Sequence, residues 1–438
     1  MQTTFTDTST AQSQQPDLQA YDVVIMGAGF AGLCQARHLL LKIPNIRLAI
    51  VDPRAAERGE RDLKVGESLI EVAALFLAKE LGLHDYLIEH HTPKFGLNFH
   101  WPKAPDQTAA LDDYYHVWAN RQTPVASFHL QRAKFEQDLL QMNQAMGADF
   151  HQGYVTQLDL QPGDAAKTVT VRTQSGPIKL QAKHVIDAAG RRFLIGQATD
   201  NIVTEPEALM GLSSGSAWLR VKQVDHQLFH SGYHPEGTSA SPYYATNHYF
   251  GHGHWVWMIP IDRRTGELSI GVVHHHEMIP ASSLNRCEKL QAFLRANHNL
   301  VSQLIDSGEI EDFHYLPRLA HKSKTLFSTD NWYVIGDAAQ IFDAFYSYGT
   351  TMVAFAVESV TEIIRAKLAG EADAEAKRAA YNAFNLAYGR SVNCLYRGHS
   401  GQLGHASIMS WRIYFEYMWW FGVHIPMYVG KWHLDYQR

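Results

Sequence analysis

A chain of 438 residues, 46% hydrophobic and 19% charged with a formal net charge of −6, holds enough core material for about three domain-sized units or one large α/β enzyme, and that balance excludes a nucleic-acid surface or a basic membrane patch. Three scattered cysteines, Cys34, Cys287 and Cys394, are too few for a disulfide framework or a thiolate metal centre, which suits a reducing cytoplasm. No apolar run reaches the length of a membrane span.

Residues 1–20, rich in Gln, Thr and Ser, read as a disordered tail rather than a signal peptide. The run Val23-Val24-Ile25-Met26 then has the length and β-branched content of a buried parallel strand. Gly27, Gly29 and Gly32 follow as G-x-G-x-x-G where that strand should turn into a helix, with Phe30 and Ala31 inside the turn. The first glycine permits the tight turn, the second lets backbone N–H groups approach a pyrophosphate, and the third lets the helix lie close on the sheet. A second strand, Arg47 to Val51, ends in Asp52, where a carboxylate can hold a ribose hydroxyl. The unit predicts dinucleotide binding.

Lys64-Val65-Gly66-Glu67-Ser68 precedes a helix predicted from about Leu69 to Leu81 and reads equally as its cap or as a loop beside a cofactor. Lys94 opens an alternating stretch and, on position alone, is a solvated strand end. Arg132 falls near the start of a helix, and Gly147 to Ile186 reads as a β-meander with turns at Pro162-Gly163 and Ser175-Gly176. It leads into a strand ending in Asp187-Ala188-Ala189-Gly190. Residues 200–320 are richer in Trp, Tyr and His and predict long strands followed by a helix from Leu284 to Ile305. A parallel-type strand returns at Trp332 to Asp337, and a long helix is predicted over Thr350 to Leu368. The tail from Glu375 is helical and dense in aromatics, a cap on the core, a wall of an apolar site or a partner contact. His274-His275-His276-Glu277 is no metal site, because neighbours on a strand point to opposite faces; no metal is expected.

The order of these pieces, with Gly336-Asp337 late in the chain, resembles the FAD-dependent aromatic hydroxylase fold. Within it, Trp255-Val256-Trp257-Met258-Ile259-Pro260 matches the W-x-W-x-I-P motif of flavin-dependent halogenases, and Tyr21 to Gly370 is similar to that family. The resemblance implies an α/β fold: an FAD-binding βαβ domain of the glutathione-reductase type at 21–199 and 320–372, an inserted mixed or antiparallel substrate-binding sheet at 200–319, and an aromatic-rich helical region at 373–438. It implies that Gly27, Gly29, Phe30, Ala31, Gly32, Asp52, Gly66, Glu67, Ser68, Arg132, Asp187, Gly190, Gly336 and Asp337 serve FAD. Lys94 corresponds to the catalytic lysine, with Tyr346 beside it, and the N–H groups of Tyr348 and Gly349 to the halide site. Trp255 and Trp257 would partition flavin from substrate.

Asp343-Ala344 departs from the family's Asp-Pro, and Tyr346 stands where tryptophan halogenases carry a glutamate. The chain is thus closer to phenol- and pyrrole-type members, with an electron-rich apolar substrate, free or carrier-tethered, rather than tryptophan. The resemblance implies a two-component enzyme: FADH2 from a separate reductase, oxygen, and chloride or bromide give hypohalous acid, which Lys94 passes on. The absence of any Asp-Gly dipeptide agrees with a separate reductase. An oxygenase or oxidase of the same fold acting without halide is the second reading, favoured by Ala344 and Tyr346.

Overall fold

The computed structural model describes residues 18–57, 64–118, 125–229, 241–262 and 264–437. Residues 1–17 of the expected tail lie outside them. Leu18–Ala20 are ordered, because the first strand, Leu18–Met26, pairs in parallel with Lys179–Gln181 from its first residue.

The apolar run of that strand is fully buried, as a strand covered on both faces should be. Its sheet runs in the order Asp149–Gln152, Leu48–Asp52, Leu18–Met26, Gly176–Asp187, Lys167–Thr173, Tyr154–Asp159. Trp332–Val334 pairs in parallel with the end of Gly176–Asp187. The expected meander therefore loses its first strand: Asp149–Gln152 joins Leu48–Asp52 in parallel, and only the three later strands run antiparallel. Gly153 makes the break, since a Cβ there would lie 2.6 Å from Val171 Cγ1. Helices Phe30–Lys42, Arg132–Ala145 and Tyr348–Leu368 pack together; Gln35 Nε2 donates to Thr361 Oγ1 at 2.9 Å between the first and third.

The second sheet has the order Glu309–Leu316, Ser214–Lys222, Glu267–His275, His254–Asp262, Thr246–Gly251, Leu97–Pro102, Tyr114–Val117. It thus draws two strands from before residue 200. Strand alternation divides His254–Asp262 between two cores: Trp255, Trp257 and Ile259 belong to the main one, Val256 and Met258 to the one under the far-side helices. The helix predicted over Leu284 to Ile305 is two, Cys287–Asn297 and Asn299–Asp306. His298 breaks it at φ −144°, its Nε2 3.0 Å from that of His254, while Thr108 Oγ1 accepts the Asn299 N–H at 3.0 Å.

The helix predicted at Leu69 is Glu71–Leu75, continuing as a π turn, Phe76–Glu80. Helices Ala374–Leu395 and Ala406–Trp419 and a second π turn, Trp420–His424, form the C-terminal region.

A Cβ on Gly32 would lie 2.0 Å from the Gly27 carbonyl oxygen, whereas one on Gly29 meets nothing nearer than 3.9 Å. Gly32→Ala should therefore cost about 2 kcal/mol or more in chemical unfolding, and Gly29→Ala should unfold like the parent.

Candidate active site

Between the two sheets lies a cavity of about 540 Å³. The glycine turn forms one end: Gly27 adopts φ +109°, and its missing Cβ would strike the Ala188 carbonyl at 2.4 Å. Gly29, Phe30 and Ala31 line the cavity, as do Asp52, Gly190, Gly336 and Asp337. Gly336 is left-handed, φ +61°, with Ala31 Cβ 2.7 Å from where its own would stand. Two predicted contacts do not line this cavity. Gly32 serves the packing of the turn, and both Asp187 oxygens accept backbone N–H groups, from Ala189 at 3.0 Å and Ile195 at 2.8 Å. Burial pushes the Asp187 carboxyl up to about 6, against those bonds.

Around the glycine turn, Arg54, Lys64 and Arg132 converge on Glu136, which also accepts the Phe30 N–H at 3.2 Å. Asp52 accepts from Ala28 N–H at 2.7 Å and from Arg54 Nε at 2.9 Å, so a ribose hydroxyl would share it with that arginine. Three cations against two carboxylates, beside a helix N-terminus with open space at Gly29, fit a dinucleotide pyrophosphate. Glu136 was not found from sequence, although its spacing from Arg132 is that of a helical ion pair, 2.5 Å here.

The Lys64–Ser68 loop is fastened to the second sheet by a buried guanidinium. Arg220, 2% exposed, donates to Glu67 Oε1 at 2.8 Å, to Asp312 Oδ2 at 2.9 Å and to the Lys64 carbonyl. Gly66 sits at φ +98° with Arg132 Nη1 2.7 Å from its would-be Cβ. Gly66, Glu67 and Ser68 line the cavity, and the helix at Glu71 has no side-chain cap.

Lys94 is not a solvated strand end. It closes the short strand Thr92–Lys94, paired with Ser127–His129, and is 4% exposed. Its Nζ donates to Ser68 Oγ at 2.9 Å and to the Leu69 carbonyl at 2.6 Å. Burial lowers its pKa to about 7, partly opposed by the Glu71 carboxylate. Ser68 Oγ in turn meets Thr246 Oγ1 at 2.9 Å, which meets His129 Nε2 at 2.9 Å. Since Ser68 and Thr246 line the large cavity, hydrogen bonds run from it to the lysine.

Lys94 itself lines a second, largely apolar pocket of about 30 Å³, with Tyr346, Tyr348, Glu416, Tyr417 and Trp420. That space is smaller than an aromatic ring, and Tyr417 and Trp420 form one wall of it. That wall belongs to Ala406–Trp419 and the π turn after it, whose Trp411, Phe415 and Met418 are exposed.

The turn before the long helix separates the two spaces. Asp343 Oδ1 accepts from Phe345 N–H at 3.0 Å and Trp255 Nε1 at 3.1 Å. Ala344 has φ −82°, close to the value proline imposes, so the turn survives the departure from Asp-Pro. Tyr346 and Ser347 are both left-handed, at φ 64° and 58°, and the helix begins at Tyr348. Ser347 and Gly349 line the large cavity while the Tyr346 and Tyr348 rings face the small pocket. The Tyr348 and Gly349 N–H groups lie in the first helical turn, where no intrahelical carbonyl is available. Trp255 and Trp257 line the large cavity, and Phe345 packs between Trp255 and Tyr346 at 5.4 and 3.9 Å. Thr246, His129, Arg220, Glu71 and Glu416 gave no sequence signal, because distant segments bring them here.

In the histidine run the rings divide between two sides: His274 and His276 approach each other at 5.3 Å, while His275 faces His399.

Two consequences are measurable. Between the depressed Lys94 value of about 7 and its ordinary 10.5, the unfolded chain holds the proton that the folded chain has lost, so this lysine's contribution to stability rises with pH across that window. Chemical denaturation should therefore show the stability of the parent relative to Lys94→Met increasing from pH 7 to 10. Arg220→Met, which strands Glu67, should lose about 3 kcal/mol.

The tryptophan halogenase family model matches residues 119–393. The flavin-dependent halogenase chlA of Dictyostelium discoideum is 45% identical over 433 residues, covering 94% of this chain and 72% of that protein. A 1H-pyrrole-2-carbonyl-[peptidyl-carrier protein] chlorinase of Pseudomonas fluorescens is 26% identical, covering 76% and 73%. Among solved structures, halogenase PltM in complex with phloroglucinol and FAD superposes with a TM-score of 0.70 at 18% identity, over 86% of this chain and 76% of that one. With a glycine turn, a two-tryptophan wall and a buried lysine arranged around two adjoining spaces, this chain belongs to the flavin-dependent halogenases, enzymes that use FAD and a halide.

Proposed function

We propose that this chain is the halogenating component of a two-component system, in which Lys94 presents hypohalous acid to an electron-rich aromatic substrate. The observation that carries the reading is the lysine amine itself, buried between the two spaces and joined to the larger one through Ser68. FAD, reduced by a separate flavin reductase, supplies with oxygen the oxidising equivalents that convert chloride or bromide to hypohalous acid. Gly27, Gly29, Phe30 and Ala31 would hold its pyrophosphate, Arg132 and Asp337 would lie beside it, and the N–H groups of Tyr348 and Gly349 would hold the halide at a helix N-terminus.

Trp255 and Trp257, with Phe345 behind them, keep the organic ring away from the site where oxidant forms. Two positions of Nζ are taken by Ser68 and the Leu69 carbonyl, which leaves one for the oxidant. In the ammonium this is an N–H that polarises the O–X bond; in the amine it is a lone pair that can accept halogen. With a pKa near 7 both forms are present at neutral pH.

The test supplies a flavin reductase, bromide and a panel of indoles, phenols, pyrroles and a carrier-tethered pyrrole. The last is included because two relatives, at 26% and 23% identity, are named for such substrates. Products carrying the paired isotope pattern of bromine are expected. Lys94→Ala should abolish them while peroxide release continues; bromination retained by that variant would contradict the assignment.

A further inference from the structure

We infer that the outward face of Ala406–Trp419 is a docking surface for a second copy of this chain, so that the protein is a two-fold dimer. At about 100° per residue, Ile408, Trp411, Tyr414, Phe415, Met418 and Trp419 fall within an arc of about 140° on that helix. The opposite arc carries Met409 and Ile413, both buried, and Tyr417, which lines the small pocket. A helix that is apolar all round belongs inside a protein. This one is covered on one side only: among the described residues the six outward side chains are between 50% (Tyr414) and 80% (Trp411) exposed. Residues 1–17, which lie outside the described ones, offer only Met1 and Phe5 as large apolar side chains, too few to cover such a face.

The area matches what a stable dimer needs. With about 150–250 Å² for a large side chain fully buried, the six at these exposures offer about 700–800 Å² per copy. That exceeds the largest patch of a typical monomer, about 300–600 Å², and equals the share of one partner in a standard interface, about 800 Å². The helix is 14 residues long, about 21 Å, and two such helices can cross with their axes about 8–10 Å apart.

What the face lacks decides the partner. From Ser407 to Gly430 no exposed residue is charged. Arg412 and Glu416, on the flank, neutralise each other at 2.7 Å, and Lys431, just beyond, is paired with Glu80 and Glu358. A two-fold axis sets a face against itself, where any charge meets its like, and an uncharged face escapes that repulsion. A helix on a membrane surface needs Lys and Arg beside its aromatics to draw anionic headgroups, and an acidic protein needs a cation to pair with; this face offers neither. Aromatic rings and Met with charges excluded are the composition of an interface core.

Sedimentation equilibrium of the full-length, FAD-loaded protein tests the inference. At low micromolar concentration the parent should show twice the 49.4 kDa of one chain. Trp411→Glu and Phe415→Glu should each weaken association at least about 100-fold, because a two-fold interface carries every residue twice and one anchor is worth about 30-fold. Both side chains point outward, so circular dichroism and flavin absorbance should match the parent and separate lost association from lost folding. Should the acidic variants fail to fold, dilution of the parent gives a second reading: tryptophan fluorescence should shift to the red as dimers part, and Trp411→Phe should reduce that shift. A parent that stays monomeric at tens of micromolar, a dimer that both acidic variants leave intact, or a monomer that sediments with phosphatidylcholine vesicles each overturns the inference. So does a monomer that dimerises only when residues 1–17 are deleted, since the chain's own end would then be the cover.

Discussion

A primary amine in the interior is the constraint around which this molecule is built. Lys94 gives up water for Ser68 Oγ and the Leu69 carbonyl, and that exchange is tolerable only because both acceptors are fixed. Leu69 N–H is bound by the Phe128 carbonyl and Leu130 N–H by the Glu67 carbonyl, so the loop and the Ser127–His129 strand hold each other. The Arg220 ion pair then ties the same loop to the second sheet. Cavity edge, loop and lysine are thus joined by a continuous run of hydrogen bonds.

The division of space follows from strand and helix periodicity. Alternation in His254–Asp262 sends two indoles toward the large cavity and Val256 and Met258 to the opposite core. Two successive left-handed residues, Tyr346 and Ser347, let the chain enter its long helix with Tyr346 and Tyr348 lining the small pocket and Ser347 and Gly349 the large cavity. That backbone costs energy at non-glycine residues, and it is retained where two pockets must be served by one turn.

Much of this was legible in the chain. The glycine spacing, Asp52, Trp255, Trp257 and Gly336-Asp337 sit in short segments, and the parallel strands at Val23–Met26, Arg47–Val51 and Trp332–Val334 were read from apolar runs, whereas Asp149–Gln152 was read into the meander. The burial of Lys94 was not, because a lysine beside Gly96 is locally indistinguishable from a solvated strand end until Ser127–His129 covers it. The family resemblance implied Asp187 as a cofactor contact, whereas in the structure its oxygens accept N–H groups of the following turn. Glu416, Tyr417 and Trp420 were visible only as part of an aromatic tail, since nothing local to Ala406–Trp419 says that its inner face meets residue 94.

The depressed basicity of one lysine is the most direct reading of this account. NMR titration of the protein with 15N-labelled lysine side chains should show one ε-nitrogen with a midpoint near pH 7, absent from Lys94→Met. A spectrum in which every lysine titrates near its ordinary value would mean that Nζ lies in water, and the run of hydrogen bonds described above would not exist.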